Sequence, residues 1–280
     1  MKRLTVVGLG LIGGSLAHAA RASGAAAHVT AVDRAAVIQR AEARAAADAV
    51  VDVADQAAFR EALASSELTV LAGPVGVICE QVSLALALAP VVTDCGSTKR
   101  RIVEHAASAA RFRRFVPGHP MAGLPGGGLA TATATLFADS TWILCPERSD
   151  DDAVALVEQL VAAVGARVVR LSPEQHDADV ARTSHLPQLL ASALSVLGSA
   201  PALRGASGPA FQRATRTAGG AESMWRDIFA TNADEIAGAL RELGEELGPI
   251  ADELAGGGAS TSRADALLAR ARRLRRGEGG

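Results

Sequence analysis

Leu4-Thr5-Val6-Val7-Gly8-Leu9-Gly10-Leu11-Ile12-Gly13-Gly14-Ser15 is the stretch on which the fold turns. A β-branched apolar run passes directly into a G-x-G-x-x-G pattern, and an alanine-rich helical stretch follows it. That is the one context in which the pattern carries weight. Gly8 permits a tight turn, Gly10 lets backbone approach a pyrophosphate, and Gly13 lets helix pack on strand. The helix start at Leu11 and Ile12 offers free N–H groups to phosphate oxygens. Asp33 closes the second apolar run about 20 residues further on, where a carboxylate accepts hydrogen bonds from ribose hydroxyls and repels a 2′-phosphate. NAD is the cofactor this spacing favours. Arg34 could receive a 2′-phosphate and keeps NADP as the alternative.

Outward from this motif, short β-branched runs at 4–7, 29–32, 68–72, 91–94, 141–144 and 168–171 alternate with helical stretches at 13–23, 35–47, 56–64, 77–87, 99–109 and 151–164. This is the pattern of repeated βαβ units on a parallel sheet. Ser172-Pro173-Glu174-Gln175 then combines a hydroxyl N-cap, a proline at the first helical position and a glutamine three residues after the serine, so a helix starts there. Beyond it only helical segments are predicted, at 172–197, 209–218, 222–247 and 263–275. The expected architecture is a Rossmann-type, doubly wound α/β sheet followed by an all-α domain. The division falls at 1–172 for dinucleotide binding and 173–280 for a helical part that binds substrate and dimerises. Gly126-Gly127-Gly128, Gly256-Gly257-Gly258 and 277–280 read as mobile loops and a frayed end.

Composition narrows the function. The 280 residues carry a formal charge of −2, which gives no pull toward nucleic acid or anionic membrane, and the arginines of 270–276 read as a solvated helix face. Cys79, Cys95 and Cys145 are widely spaced and odd in number, so neither a disulfide framework nor a thiolate metal site is expected, and a reducing, cytoplasmic location is. Lys2, Arg3 and the apolar run to Leu16 imitate a signal peptide, but the glycines make a poor apolar helix. The run 82–92 contains Pro90 and is shorter than the roughly 20 residues of a spanning helix. Arginine has almost displaced lysine, so Lys99, one of two lysines, and Asn232, the one asparagine, draw attention.

Four segments place polar groups where the pattern is otherwise apolar or glycine-rich. Asp94-Cys95-Gly96-Ser97-Thr98-Lys99 follows a predicted strand at its C-terminal end, where ligands bind in open α/β sheets, although Ser97 or Thr98 could also be a plain helix cap. Gly118-His119-Pro120-Met121-Ala122-Gly123 locks a histidine between glycine and proline. An imidazole suits acceptance of a hydroxyl proton as hydride leaves the adjacent carbon, whereas a lone loop histidine is more often just exposed. His176-Asp177 and Ser184-His185-Leu186-Pro187-Gln188 lie on the helix after Ser172. Pro187 should interrupt that helix, and Ser184 and Gln188 share a face there. Last come Thr215-Arg216 and the stretch from Met224-Trp225 to Asn232.

In this order the segments resemble the prephenate dehydrogenase family, from the glycine fingerprint to about Asn232. The resemblance is carried by residues 8–15, by Asp-x-Gly-Ser-x-Lys at 94–99, by Gly-His-Pro-Met-Ala-Gly at 118–123 and by Ser-His-Leu-Pro at 184–187. It implies that His119 is the catalytic histidine at the ring hydroxyl, that Ser97 assists there, and that Arg216 binds a substrate carboxylate. His176, Ser184, His185 and Gln188 would line or support the pocket. Hydride would pass from the hydroxyl-bearing carbon of a cyclohexadienol to NAD while neutral His119 draws off the proton, and loss of carbon dioxide would aromatise the ring. The chain departs from the family pattern at Gln188, where many members have a second histidine, and at Gln212 and Ala214. Substrate choice between prephenate and arogenate is therefore open. A homodimer through an apolar face in 189–197 is expected, and a separate regulatory module after Asn232 is not. The rival readings are a β-hydroxyacid dehydrogenase or imine reductase, which would need a lysine on the first helix of the second domain where this chain has none, and a noncatalytic dinucleotide sensor.

Overall fold

The structure is a computed structural model and describes residues 1–124, 127–199, 207–256 and 261–277. Gly126, Gly257, Gly258 and 278–280, expected to be mobile, lie outside the described residues. Among the described residues nine strands run in chain order: β1 (Arg3–Val7), β2 (His28–Asp33), β3 (Ala49–Asp52), β4 (Leu68–Leu71), β5 (Val92–Asp94), β6 (Phe115–Val116), β7 (Gly118–Pro120), β8 (Thr141–Leu144) and β9 (Arg167–Arg170). The first six make one parallel sheet in the order β3-β2-β1-β4-β5-β6. Every residue of β4 and β5 is buried, as expected for strands covered on both faces. Leu16, Ala17 and Ala20 of helix Leu11–Ala22 pack with Val157 and Leu160 of helix Asp151–Ala163 on one face. Phe59, Ile78, Val82 and Ile102 from the helices Gln56–Ser65, Val75–Leu88 and Arg100–Ala106 cover the other. The order in which strands are added switches sides between β1 and β4, the place where a ligand crevice opens at the carboxyl ends of such a sheet.

Two details differ from the expectation. The strands near 141–144 and 168–171 do not join the parallel sheet. They form a second sheet, β7-β8-β9, in which β7 and β8 are antiparallel. Pro117 has no N–H to continue the ladder beyond β6, and its carbonyl accepts from Cys145 N instead, which starts the new sheet. The helix expected over 35–47 is two short helices, Ala35–Ile38 and Ala41–Ala46, followed by the edge strand β3. In this run only Ala43, Ala46 and Ala47 are buried, all near its C-terminal end, too short an apolar stripe to hold one long helix.

After β9, Ser172 Oγ accepts from Gln175 N at 3.0 Å and opens helix Pro173–Val180. The helix then widens into a π turn at Ala181–His185, where Leu186 N donates to Ala181 O, before resuming as Leu186–Gly198. Pro187 is the cause: without an N–H it leaves a carbonyl in the preceding turn unpaired, and the wider turn redistributes the bonds. Helix Pro209–Thr215 and a 3-10 turn Arg216–Gly219 lead to helix Glu222–Thr231. The helix expected over 222–247 breaks at Asn232, whose backbone leaves helical geometry. Residues 1–233 form one compact unit and 234–280 a second, built from helices Ala233–Ala255 and Ser262–Arg275, with Glu253 accepting from Ser262 Oγ and Arg263 N. Among the described residues no helix is long and apolar enough to cross a membrane.

Candidate active site

The glycine loop sits at the carboxyl end of β1. Gly8 has φ +98°, and a Cβ there would meet the backbone of Ala72 at 2.9 Å. A Cβ at Gly13 would lie 1.8 Å from Gly8 O, so turn and helix can close only on glycine. Above Gly10 the situation reverses, because a Cβ would find nothing within 4 Å. Helix Leu11–Ala22 begins beside that open space with no side chain capping it, so the N–H groups of Leu11 and Ile12 lie in its uncapped first turn. Asp33 Oδ2 accepts from Leu9 N at 2.6 Å and Oδ1 from Arg34 N at 2.7 Å, which fixes the carboxylate at the end of β2 beside the loop. Arg34 is largely exposed. A free N-terminus, open backbone and an anchored acid suit a diphosphate and its ribose.

At the carboxyl end of β5, Asp94 and Lys99 are fully buried and ion-paired. Lys99 Nζ also donates to Gly118 O at 2.6 Å, while Asp94 Oδ1 accepts from Gly118 N at 3.0 Å. The pair thereby holds both polar groups of the residue before His119, which lies on β7, pairs with Ile143 of β8 and is half-buried. With its amine tied to Asp94, Lys99 is not a candidate for acid–base work.

His119 Nδ1 lies 2.9 Å from His176 Nε2, and His176 Nδ1 lies 2.7 Å from Asp177 Oδ1. His176 and Asp177 are fully buried. Asp177 also accepts from the backbone N–H groups of Lys99 (2.7 Å) and Arg100 (3.0 Å). Asn232 Nδ2 donates to Asp177 O at 2.8 Å, and its Oδ1 accepts from Arg100 Nη2 at 3.1 Å. His185 Nδ1 lies 3.3 Å from the same amide. That use of its side chain is why Asn232 stands outside the helix. Burial, then the neighbouring His176, Lys99 and His185, push His119 well below the usual histidine range. Burial lowers His176 against the pull of Asp177, and lowers His185 to about 4. Burial alone would raise Asp177, but the bonds from His176 and the backbone of Arg100 and Lys99 outweigh it and hold the carboxyl below its usual value.

The structure thus gathers His119, His176 and His185 into one bonded cluster. Ser97 is half-buried in the loop between Asp94 and Lys99. Ser184 is half-buried in the π turn, and Gln188 is buried one turn further on. Arg216 stands apart from these bonds, exposed on its 3-10 turn, and pairs with no carboxylate among the described residues. Asp94, Asp177 and the linking role of Asn232 received no function from sequence reasoning. The rarity of lysine and asparagine did point to Lys99 and Asn232, whereas the sequence marked Asp177 only as the neighbour of His176.

Residues 16–170 match the family model described as prephenate dehydrogenase, nucleotide-binding domain, and residues 172–268 match prephenate dehydrogenase, dimerization domain. The chain is 31% identical to prephenate dehydrogenase of Bacillus subtilis over 258 residues, 88% of this chain and 68% of that protein. It is 30% identical to cyclohexadienyl dehydrogenase of Zymomonas mobilis over 251 residues, 85% and 84% of the two chains. The solved prephenate dehydrogenase of Aquifex aeolicus, in complex with hydroxyphenyl propionate and NAD+, superposes with a TM-score of 0.86 at 26% identity, covering 98% of both chains. A glycine loop shaped for a dinucleotide, a histidine cluster at the end of β5 and two domain matches that together span most of the sequence agree on one conclusion: the chain belongs to the prephenate dehydrogenase family.

Proposed function

We propose that this protein catalyses the NAD-dependent oxidative decarboxylation of prephenate to 4-hydroxyphenylpyruvate in tyrosine biosynthesis. The carrying observation is His119, a neutral imidazole whose Nδ1 is engaged by His176 and whose Nε2 has no hydrogen bond to a described residue. When bound, NAD supplies the acceptor for the hydride that leaves the hydroxyl-bearing carbon. The Leu11 and Ile12 N–H groups would hold its diphosphate, with the open space at Gly10 admitting it, and Asp33 would accept from the ribose hydroxyls. His119 receives the hydroxyl proton, Ser97 hydrogen-bonds the same oxygen, and carbon dioxide then departs as the ring aromatises. Ser184, His185 and Gln188 line the pocket. Arogenate, yielding tyrosine directly, is the alternative substrate; the neutral Gln188 leaves the keto and amino side chains undistinguished. Purified protein with NAD or NADP against prephenate or arogenate, followed as dinucleotide reduction, tests the assignment, and no reduction with either substrate refutes it.

Arg216 clamps the ring carboxylate through a bidentate pair, a role for which its exposed guanidinium, paired with no carboxylate among the described residues, is available. Arg216→Ala should raise KM by roughly ten- to a hundredfold, the loss of a charge-assisted pair of about 1.5–3 kcal/mol, with a smaller change in kcat. An unchanged KM removes Arg216 from the site.

Residues 1–172 act as the dinucleotide-binding part and 173–280 as the part that binds substrate and dimerises. Leu194, Val196 and Leu197 are exposed on helix Leu186–Gly198, Val196 by 78% and Leu197 by 72%, which suits burial against a second copy. Light scattering should give twice the mass of one chain, and a single-chain mass refutes the dimer. The free cysteines agree with a cytoplasmic setting.

A further inference from the structure

We infer that Asp177 and His176 set the tautomer of His119 and carry away the proton it collects, forming a three-member relay behind the reactive nitrogen. The inference rests on the reading of His119 as the base and assigns its two supports. An ionised carboxylate only accepts, so the 2.7 Å contact between Asp177 Oδ1 and His176 Nδ1 requires a proton on that nitrogen. Neutral His176 then has Nε2 as an acceptor. At 2.9 Å it faces His119 Nδ1, which must therefore be the donor. The remaining lone pair of the His119 ring is on Nε2. In the opposite tautomer Nε2 would carry the proton and could not act as a base.

The surroundings hold this arrangement in place. Asp177 is fixed by the backbone N–H groups of Lys99 and Arg100 and by the bond from Asn232 to its own carbonyl, so it does not turn away from His176. The His119 strand is fixed by Asp94 and Lys99 through Gly118. The charged and titratable groups around the two rings are Lys99, Asp94, Asp177, Arg100 and His185. Burial, His176, Lys99 and His185 disfavour a cation on His119; on His176 burial and Lys99 also disfavour one, but there Asp177 and Asp94 oppose them.

The proton movement balances. As hydride leaves the carbon, the hydroxyl proton bonds to His119 Nε2, and the Nδ1 proton of His119 passes to His176 Nε2. His119 ends neutral with its proton on Nε2. His176 ends as an imidazolium donating to Asp177 through Nδ1 and to His119 through Nε2. After product leaves, loss of the Nε2 proton from His119 to water and return of the His176 proton restore the starting state. His176 and Asp177 are positioning residues in this scheme, since neither touches substrate.

The test uses full-length protein labelled with nitrogen-15 in histidine, with and without NAD, and steady-state kinetics of three variants. In the unmodified protein, long-range nitrogen–proton correlation should show His119 protonated on Nδ1 and bare on Nε2. A proton on Nε2 of the resting enzyme overturns the inference without the need for any variant. Asp177→Asn, whose amide can present an N–H to His176, should reverse both tautomers and lower kcat on the order of 10²- to 10⁴-fold with KM little changed. His176→Gln keeps an oxygen facing His119 Nδ1 but cannot be protonated. It should preserve the His119 tautomer while lowering kcat by about tenfold or more. Wild-type kcat in both variants overturns the relay. His119→Asn separates the two readings: inactive His119→Asn with active Asp177→Asn and His176→Gln refutes the relay alone, whereas active His119→Asn refutes the base and the relay together.

Discussion

His119→Asn should lose roughly 10²- to 10⁴-fold in kcat while the dissociation constant for NAD stays unchanged. Asparagine places a polar atom near the position of Nδ1 and can still meet His176, so packing on β7 is retained. It has nothing at the position of Nε2 and takes up no proton at neutral pH. The glycine loop, Asp33 and the start of helix Leu11–Ala22 are untouched, which is why dinucleotide affinity, measured by fluorescence or calorimetric titration, should not move. The wild-type pH profile carries the same chemistry. The base works when neutral, and burial with the adjacent His176, Lys99 and His185 makes its protonation harder than for a free imidazole. Activity should therefore persist as pH falls through about 6.5 and be lost only at lower pH, where the depressed pKa is reached. Near-normal turnover of His119→Asn, or an acid limb of kcat/KM at or above that value, contradicts the assignment.

Lys99→Met should be the most destabilising single change in the site, costing about 3–5 kcal/mol. Lys99 and Asp94 are both 0% exposed, so removing one charge strands the other where water cannot reach it. Gly96 N and Gly118 N still donate to Asp94 but do not replace an ammonium. At about 2–4 °C per kcal/mol for a domain of this size, the melting temperature should fall by roughly 6–20 °C. Turnover should fall as well, since Gly118 O loses its donor next to His119. Adding Asp94→Asn should recover part of the stability, because a buried pair replaced on both sides costs far less than one broken in half. A melting temperature lowered by less than about 2 °C in Lys99→Met would show that the pair is not what holds this end of β5.

Lys99 also shows what kind of information a sequence carries. Its scarcity made it conspicuous, yet the resemblance alone placed it in a motif without a task, and its partners Asp94 and Gly118 became visible only once β5 and β7 were brought together. The second sheet was missed for a similar reason. β7 is three residues containing a glycine and a proline, too short to show alternation, and its ladder depends on β8, more than 20 residues away. The edge strand β3 was hidden in an alanine-rich run whose local preference is helical.

Local order was readable because it is encoded locally. Gly8, Gly10 and Gly13 between a strand and a helix, Asp33 at the end of the next strand, the Ser172 cap and the break before Pro187 each follow from neighbours a few residues apart, and together they specified a dinucleotide-binding sheet followed by helices. The His119–His176–Asp177 chain is different. It joins residues 57 positions apart, and its geometry depends on where β7 and helix Pro173–Val180 come to rest against each other. Hydrogen-bond partners, burial and the resulting proton affinities are properties of that packing, so only the folded chain could decide which nitrogen is free to react.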